Sequence, residues 1–109
     1  MIMIKVSFFA ILQTEFGETH NITIEEPIRL LQLFDLFQSK KGERGSSFFI
    51  ENDELKKGFT ILIDGRNIHA LDGLTTVLDK NCEVSFFPTL GGGLFNISMF
   101  FFHFNLTNP

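Results

Sequence analysis

The first part of the chain alternates between apolar and polar positions. In residues 4–10 every second residue is apolar, and Lys5 and Ser7 lie between them. A period of two predicts a half-buried β-strand. Residues 19–24 alternate in the same way, after a break that contains Gly17-Glu18. We therefore expect two strands that pair as an antiparallel hairpin.

The period changes after Pro27, a residue that suits the first turn of a helix. Apolar residues at helical spacing predict one buried stripe, made by Leu30, Leu33, Phe34 and Phe37 and widened by Leu31. The opposite, exposed face is expected to carry Arg29, Gln32, Asp35 and Ser39. Lys40-Lys41 and Gly42 are expected at the C-terminal end of this helix, the only strong one that the pattern predicts.

Shorter apolar runs fill the second half of the chain, and turn residues separate them. Residues 59–63 are apolar on both faces apart from Thr60, which predicts a covered central strand. Asp64-Gly65 predicts a two-residue hairpin turn into residues 66–68. The other expected elements are a polar loop at 40–47, a short strand at 48–50, a helical turn at 52–55, turns at 72–73 and 79–81, and a last strand at 83–87 that Pro88 ends.

This order favours an α+β domain. One helix cannot cover two sheets, so a single mixed sheet packed on one main helix is the most economical arrangement. A chain of 109 residues has the length of one domain with one core.

Composition restricts the partners and the compartment. Nine basic and 13 acidic residues give a net charge of −4, which argues against nucleic acid as the main partner. One cysteine excludes an internal disulfide and suits a reducing compartment. Residues 1–12 lack the basic start of a signal peptide, and the apolar run at 94–106 is too short to span a bilayer. We expect a cytoplasmic protein without a membrane segment.

The composition changes sharply after Gly93. Residues 94–109 contain no charged side chain but hold Phe95, Phe100, Phe101, Phe102 and Phe104, five of the 15 phenylalanines. We therefore divide the chain into a domain at 1–93 and an apolar, uncharged extension at 94–109.

The usual catalytic groups are missing from the pattern. His20, His69 and His103 have no metal-ligand spacing with one another or with Cys82. Cys82 has no neighbouring base that would favour its thiolate. We expect no metal site, no bound cofactor and no catalysis by residues 1–93 alone.

Gly91-Gly92-Gly93 allows two interpretations. A strand without side chains can enter a narrow cleft, and a terminal glycine carboxylate can be activated as an acyl-adenylate. The same three glycines would also make a flexible linker.

Residues 83–93 resemble the C-terminus of the ubiquitin-like sulfur carriers, the MoaD/ThiS family, and look most like molybdopterin synthase small subunits. A strand, then Phe86-Phe87-Pro88, a short spacer and Gly-Gly form the shared pattern. Upstream, residues 5–10 resemble the first strand of the family, and residues 63–68 and 71–74 resemble its central hairpin and following turn. The resemblance covers residues 2–93 and implies a β-grasp (ubiquitin-like) fold.

The resemblance also implies a mechanism and partners. An E1-like enzyme would use ATP to adenylate the terminal glycine, and sulfur would then be installed as a thiocarboxylate. In molybdenum or tungsten cofactor synthesis this sulfur would go to a precursor pterin, inside a pocket of the large subunit of molybdopterin synthase. Gly92 and Gly93 match the terminal glycines, with Gly93 reactive. The residues expected to contact the partners are Phe86, Phe87, Pro88, Leu90 and Gly91, and Phe86 and Phe87 are also expected to pack in the core.

The extension departs from the family pattern. With Leu94 attached, Gly93 carries an amide instead of a carboxylate and cannot be adenylated. The extension is either removed by a protease, an accidental addition, or a structural element, and its phenylalanines predict self-association. Two other functions stay open: a ubiquitin-like modifier that acylates lysines, and an assembly module that uses the extension. The choice among molybdopterin, thiazole and tRNA thiolation lies with the partner, although Phe86-Phe87-Pro88 leans toward molybdopterin.

Overall fold

The computed structural model describes residues 1–89, and its main sheet has five strands. They are β1 (Ile2–Phe8), β2 (Thr19–Ile24), β6 (Phe59–Ile63), β7 (Arg66–Asn67) and β9 (Cys82–Pro88). Their order across the sheet is β2-β1-β9-β6-β7. Strands β1 and β9 run parallel, and the other neighbours are antiparallel. The expected mixed sheet is therefore confirmed.

The first hairpin also agrees with its prediction. Strand β1 pairs with β2 in antiparallel register, with Ile2 opposite Ile24 and Ser7 opposite Thr19. The strand ends at Phe8, however, and Ala10 is exposed with a positive φ of 55°. A short helix, α1 (Leu12–Phe16), fills the connection that was expected to be a simple turn.

The predicted main helix is shorter than expected. Pro27 precedes a two-residue strand, β3 (Ile28–Arg29), and the helix α2 covers only Leu30–Phe34. Three further turn hydrogen bonds, from the amides of residues 35, 36 and 37 to carbonyls three residues earlier, tighten its end. The predicted stripe is nevertheless buried, since the exposures of Leu30, Leu33, Phe34 and Phe37 are 0, 0, 1 and 7%. Leu31 is exposed instead of widening this stripe.

Ser39 is buried, so its predicted place on the exposed helix face was wrong. Its amide donates to the Glu43 carbonyl at 2.7 Å, and its hydroxyl accepts from the Glu43 amide at 3.1 Å. These bonds close a tight turn around Gly42, which has a φ of 88°. Lys40-Lys41 therefore lies in this turn and not at a helix end.

Two short predictions in the middle of the chain were also wrong. Phe48 and Phe49 belong to a third helix, α3 (Gly45–Phe49), instead of a strand. The expected helical turn is a small hairpin of β4 (Ile50–Glu51) and β5 (Glu54–Leu55). Its turn residues Asn52 and Asp53 both have positive φ, which suits a tight hairpin turn.

Of the remaining elements, the predicted hairpin turn and last strand are present, whereas the polar loop expected at 40–47 ends where α3 begins at Gly45. Asp64-Gly65 joins β6 to β7, with Ile63 opposite Arg66. Strand β7 ends at Asn67, because Ile68–Ala70 forms a 3₁₀ turn, and Gly73–Thr75 forms another after Asp72. Strand β8 (Val77–Leu78) pairs with β3. The last strand, β9, extends to Pro88 instead of stopping before it.

All three helices pack on one side of the main sheet, which we call the inner face. One hydrophobic cluster joins them to alternate residues of the strands. Its buried members are Ile2, Ile4, Val6, Phe8, Leu12, Phe16, Leu30, Leu33, Phe34, Phe37, Phe49, Ile61, Ile63, Ile68, Leu78, Val84 and Phe86. Within residues 1–89 no helix is long and apolar enough to cross a membrane.

The opposite side of the sheet, which we call the outer face, carries a second and smaller cluster. It consists of Phe9, Leu62 and Phe87, and we call it the outer patch. Ser7, Ser85 and Leu62 lie opposite one another on β1, β9 and β6, so they share this face. None of the residues of α1, α2 or α3 belongs to the outer patch.

Replacing Gly45 with alanine should destabilise the fold. A Cβ at this position would lie 2.2 Å from the Phe34 backbone carbonyl oxygen, at the point where the chain crosses the end of α2. Relieving such overpacking costs roughly 1–3 kcal/mol. Denaturant unfolding should show a lower midpoint for Gly45→Ala. Ser47→Ala, an exposed change in the same helix, should stay within about 0.5 kcal/mol. Equal midpoints for the two variants would contradict the close packing.

Candidate functional site

The candidate site begins where the last strand leaves the sheet, and Phe86 anchors this strand in the core. Its side chain is 1% exposed. Its ring stacks on Phe8 at a centroid distance of 4.9 Å and packs against Phe49 and Phe34 at 5.1 and 5.5 Å. The predicted role of Phe86 in the core therefore has a clear structural basis. Its predicted partner contact remains a prediction.

Phe87 points to the outer face. Its ring stacks on Phe9 at 4.4 Å, with only 5° between the ring planes. The register explains this pair, because Phe8 lies beside Phe86 in parallel β1 and β9. Phe9 lies just beyond the end of β1, where its amide donates to the Phe86 carbonyl at 3.0 Å, so Phe9 and Phe87 both turn to the other face. The Phe-Phe pair is thus divided between the two sides of the sheet.

Pro88 and Thr89 fix the point at which the chain leaves the sheet. Pro88 is half-buried and pairs with Phe59, the first residue of β6. The Thr89 amide donates to the Gly58 carbonyl at 2.6 Å. The hydroxyl oxygens of Thr89 and Thr60 share a hydrogen bond at 2.9 Å. These bonds hold the chain against β6 as far as Thr89.

The predicted reactive residues follow this anchor. Leu90, Gly91, Gly92 and Gly93 lie outside the described residues, as does the extension at 94–109. Covalent geometry alone limits the distance from Thr89 to Gly93, four residues further on, to about 14 Å. Any chemistry at Gly93 must therefore take place close to the β9 end of the domain.

The histidines of the described part have structural partners. The His20 ring nitrogen Nε2 is hydrogen-bonded to the Phe16 carbonyl oxygen, and the ring packs edge-on against Phe8 and Phe37. The backbone amide of His69 donates to the Asn67 side chain at 2.9 Å. Residues 1–89 contain no group of three potential metal ligands. His103 lies outside the described residues.

Cys82 begins β9 and is half-buried beside Ile4. Burial, together with the nearby carboxylates of Asp64 and Asp79, raises the pKa of its thiol from 9.0 to about 11. A thiol with such a pKa is protonated at neutral pH, so the structure favours the inert thiol expected from the sequence.

Sequence reasoning missed the Thr60–Thr89 pair and the outer patch. A signal for the patch was present in the repeated Phe-Phe dipeptides, Phe8-Phe9 and Phe86-Phe87. Each dipeptide in a strand places one ring on each face. Parallel pairing of the two strands, which the sequence did not reveal, aligns the second rings.

Comparisons with known proteins agree with this architecture. The sequence model of the ThiS family matches residues 6–93. Small archaeal modifier protein 3 of Haloferax volcanii is 43% identical over 44 residues, which are 40% of this chain and 48% of that protein. The chain thus matches about half the length of this relative.

Two solved structures are similar over most of their length. Small archaeal modifier protein 1 of Methanosarcina acetivorans is 30% identical, with a TM-score of 0.60 and coverage of 85% of this chain and 98% of that one. A Pyrococcus furiosus protein, provisionally described as molybdopterin converting factor subunit 1, is 19% identical, with a TM-score of 0.61 and coverage of 83% and 100%. The second likeness concerns the fold alone. Together they confirm the ubiquitin-like β-grasp fold.

The raised pKa of Cys82 predicts an unusual pH dependence of its alkylation. Burial opposes the thiolate, so in the folded chain the rate with iodoacetamide should still rise about tenfold per pH unit between pH 8 and pH 10. In the chain unfolded by urea, the rate should level off near the ordinary pKa of 9.0. A folded chain whose rate levels off at the same pH would contradict the effect of burial.

Proposed function

The chain belongs to the ThiS family, and we propose that residues 1–93 act as a sulfur carrier in molybdopterin synthesis, with Gly93 as the carrier residue. The main support is the extent of the family match, which ends at the third glycine of Gly91-Gly92-Gly93. The small ubiquitin-like domains of this family are carriers that do not catalyse a reaction themselves. The assignment to molybdopterin rests on the Phe86-Phe87-Pro88 pattern and is the finer part of the proposal.

The proposed chemistry uses the Gly93 carboxylate and no side chain of the domain. An E1-like partner binds ATP, and the carboxylate attacks the α-phosphorus, which releases pyrophosphate and leaves an acyl-adenylate. Sulfide then attacks the acyl carbon and AMP departs, which leaves a thiocarboxylate. The partner supplies the catalytic groups and the ATP site.

In this proposal the folded domain holds the start of the C-terminal segment, and the segment carries the reactive carboxylate into the partner. The anchor at Thr89 and the limit of about 14 Å to Gly93 define how deep a partner's pocket can be. Three residues without side chains suit a tight channel. The proposed partner is the large subunit of molybdopterin synthase, in whose pocket a precursor pterin accepts the sulfur, and Phe87, Pro88, Leu90 and Gly91 are the proposed contacts beside its channel.

The extension sets a condition on this function. While Leu94 is bonded to Gly93, no carboxylate is available for adenylation. We therefore treat the chain with residues 94–109 as a precursor or an inactive form. We also propose a cytoplasmic location, which fits a chain with a single cysteine.

Protein modification is a second candidate function, and the comparisons favour it specifically. Two relatives, at 43% and 30% identity, are small archaeal modifier proteins. A modifier would use the same Gly93 adenylate, but a lysine amine would replace sulfide as the nucleophile and form an isopeptide bond.

The carrier function predicts a defined mass change. A chain ending at Gly93, incubated with the E1-like enzyme of its source, ATP and sulfide, should gain the mass difference between one sulfur and one oxygen atom. The full chain should not change, because Gly93 is then an amide. Cys82→Ser in the shorter chain separates this product from a cysteine persulfide, which would add a whole sulfur atom. An unchanged mass with active enzyme would count against a carrier.

The modifier function predicts conjugates with a characteristic remnant. The last basic residue before Gly93 is Lys80, so trypsin would leave residues 81–93 on the acceptor lysine. Chymotrypsin cuts after Leu90 and would leave only three glycines, which mass spectrometry can locate. Cells that make the chain ending at Gly93 should contain such lysines if it is a modifier. A chain that ends at Leu90 is the control, and triglycine remnants of equal abundance from both chains would remove this candidate.

A further inference from the structure

Strand β2 forms one edge of the main sheet. Among the described strands it pairs only with β1, and the opposite edge is the two-residue strand β7. Proteins commonly block a free edge with a charge, a proline or a bulge. Residues 19–24 contain no charged residue and no proline. Their register with β1 runs without interruption from Ile24 opposite Ile2 to Thr19 opposite Ser7, so no bulge interrupts the strand.

The backbone of β2 presents hydrogen-bonding groups on the side away from β1, which we call the β2 edge. The Phe8 amide donates to the Glu18 carbonyl at 2.9 Å. In an antiparallel pair such bonds recur at every second residue, so the alternate residues 20, 22 and 24 direct their backbone groups to β1. Thr19, Asn21 and Thr23 direct theirs to the β2 edge, and all three residues are exposed. Their N–H and C=O groups are therefore placed to pair with an added strand.

A groove lies between β2 and residues 36–38, which follow α2. It has a volume of about 620 Å³, and its apolar lining includes Phe16, Ile22, Leu36 and Phe37. Ile22 is on the inner face, because it lies opposite the buried Ile4. Leu36 is 54% exposed. Side chains of an added strand that lie opposite Ile22 would point to the same face and enter this groove.

Carboxylates lie at both ends of β2. Glu18 precedes the strand and Glu25-Glu26 follows it, and all three are exposed. A second copy of this chain fits the β2 edge poorly, because antiparallel pairing about Asn21 would bring Glu18 of one copy close to Glu25 of the other. Each copy also carries a net charge of −4. A strand with a basic residue at each end would meet opposite charges instead.

We propose that the β2 edge binds an extended segment of a partner protein as a sixth strand of the main sheet. The segment is apolar at alternate positions, which face the groove, and it carries lysine or arginine at both ends. Main-chain bonds to Thr19, Asn21 and Thr23 supply affinity, whereas the groove and the carboxylates select the sequence of the segment.

The β2 edge is separate from the proposed reactive end. The strand order β2-β1-β9 places β2 two strands away from β9, at about 10 Å for strands with ordinary spacing. A partner can therefore hold the β2 edge while the chain end stays free. The proposal goes beyond the carrier and modifier functions and does not depend on chemistry at Gly93.

A synthetic peptide tests the β2 edge on the full chain. Its sequence is Lys-Lys-Val-Thr-Val-Thr-Val-Lys-Lys, with both ends blocked. Nuclear magnetic resonance of the isotope-labelled chain should show the largest changes at the amides of Thr19, Asn21 and Thr23. Hydrogen exchange at these amides should slow at least tenfold with saturating peptide, and the amides of Arg66 and Asn67, on the opposite edge, should change little. Changes centred on another surface, or none at millimolar peptide, would overturn the proposal.

A second peptide tests whether a strand is added. Proline replaces both threonines, so the peptide keeps its charge and its valines but loses two amides that would donate to the β2 edge. It should bind at least tenfold more weakly, and equal binding of the two peptides would overturn the proposal. Without peptide, raising the concentration of the chain should leave the Thr19, Asn21 and Thr23 amides unchanged. Changes there would place a second copy on the β2 edge and overturn the choice of a partner segment.

Two leucine variants test the groove. Leu36→Ser should weaken binding of the threonine peptide at least threefold, because it removes an apolar wall of the groove. Leu31→Ser makes the same change at an exposed leucine of α2 outside this lining, and its affinity should match that of the unaltered chain. Equal affinities of the two variants would overturn the assignment of the groove.

A charge exchange tests the chemistry of the partner. Glu25→Lys should weaken binding of the lysine-flanked peptide at least twofold and strengthen binding of a peptide whose four lysines are replaced by glutamate. Glu51→Lys, the same change at an exposed glutamate of β4, should have less than half of this effect. Equal effects of the two variants would overturn the requirement for basic ends.

Discussion

The parallel pairing of the first and last strands is the constraint on which the rest of the structure depends. Strands β1 and β9 lie side by side at the centre of the sheet, with Phe8 beside Phe86. A parallel pair cannot be joined by a tight turn, so the whole of residues 9–81 serves as its connection. Because β9 pairs with β1 on one side and β6 on the other, the chain leaves the sheet from its central strand and not from an edge.

Phenylalanine supplies six of the 17 buried residues in the main core cluster. The chain has 15 phenylalanines and neither tryptophan nor tyrosine. A phenylalanine ring has no polar atom that needs a partner when it is buried. Phe49 lies at the centre of this packing, and its ring contacts Phe8, Phe16, Phe34, Phe48, Phe59 and Phe86. The helix α3, which the sequence did not predict, therefore supplies the ring at the centre of the core.

Elements defined by local chemistry could be predicted, and those set by tertiary contacts could not. Asp64-Gly65 determines its hairpin alone, because both residues accept positive φ. The helical stripe ending in Phe37 was recognised, but α2 covers only Leu30–Phe34, and Gly45 crosses closely over the Phe34 carbonyl. No local pattern reveals such a crossing. For the site, the sequence identified the segment around Phe87 and Gly93. The Thr60–Thr89 hydrogen bond could not be predicted, because it joins residues that are 29 positions apart in the chain.

The proposed reactive group lies in the main chain, and this determines what the folded domain has to contribute. The proposed reactive group is a main-chain carboxyl group, so no side chain in residues 1–89 has to be positioned for catalysis. These residues can affect only how firmly the end is presented and which surfaces lie beside it. The end is anchored at Thr89, and the outer patch begins two residues earlier at Phe87. A single peptide bond, between Gly93 and Leu94, is therefore sufficient to block the proposed reactive group.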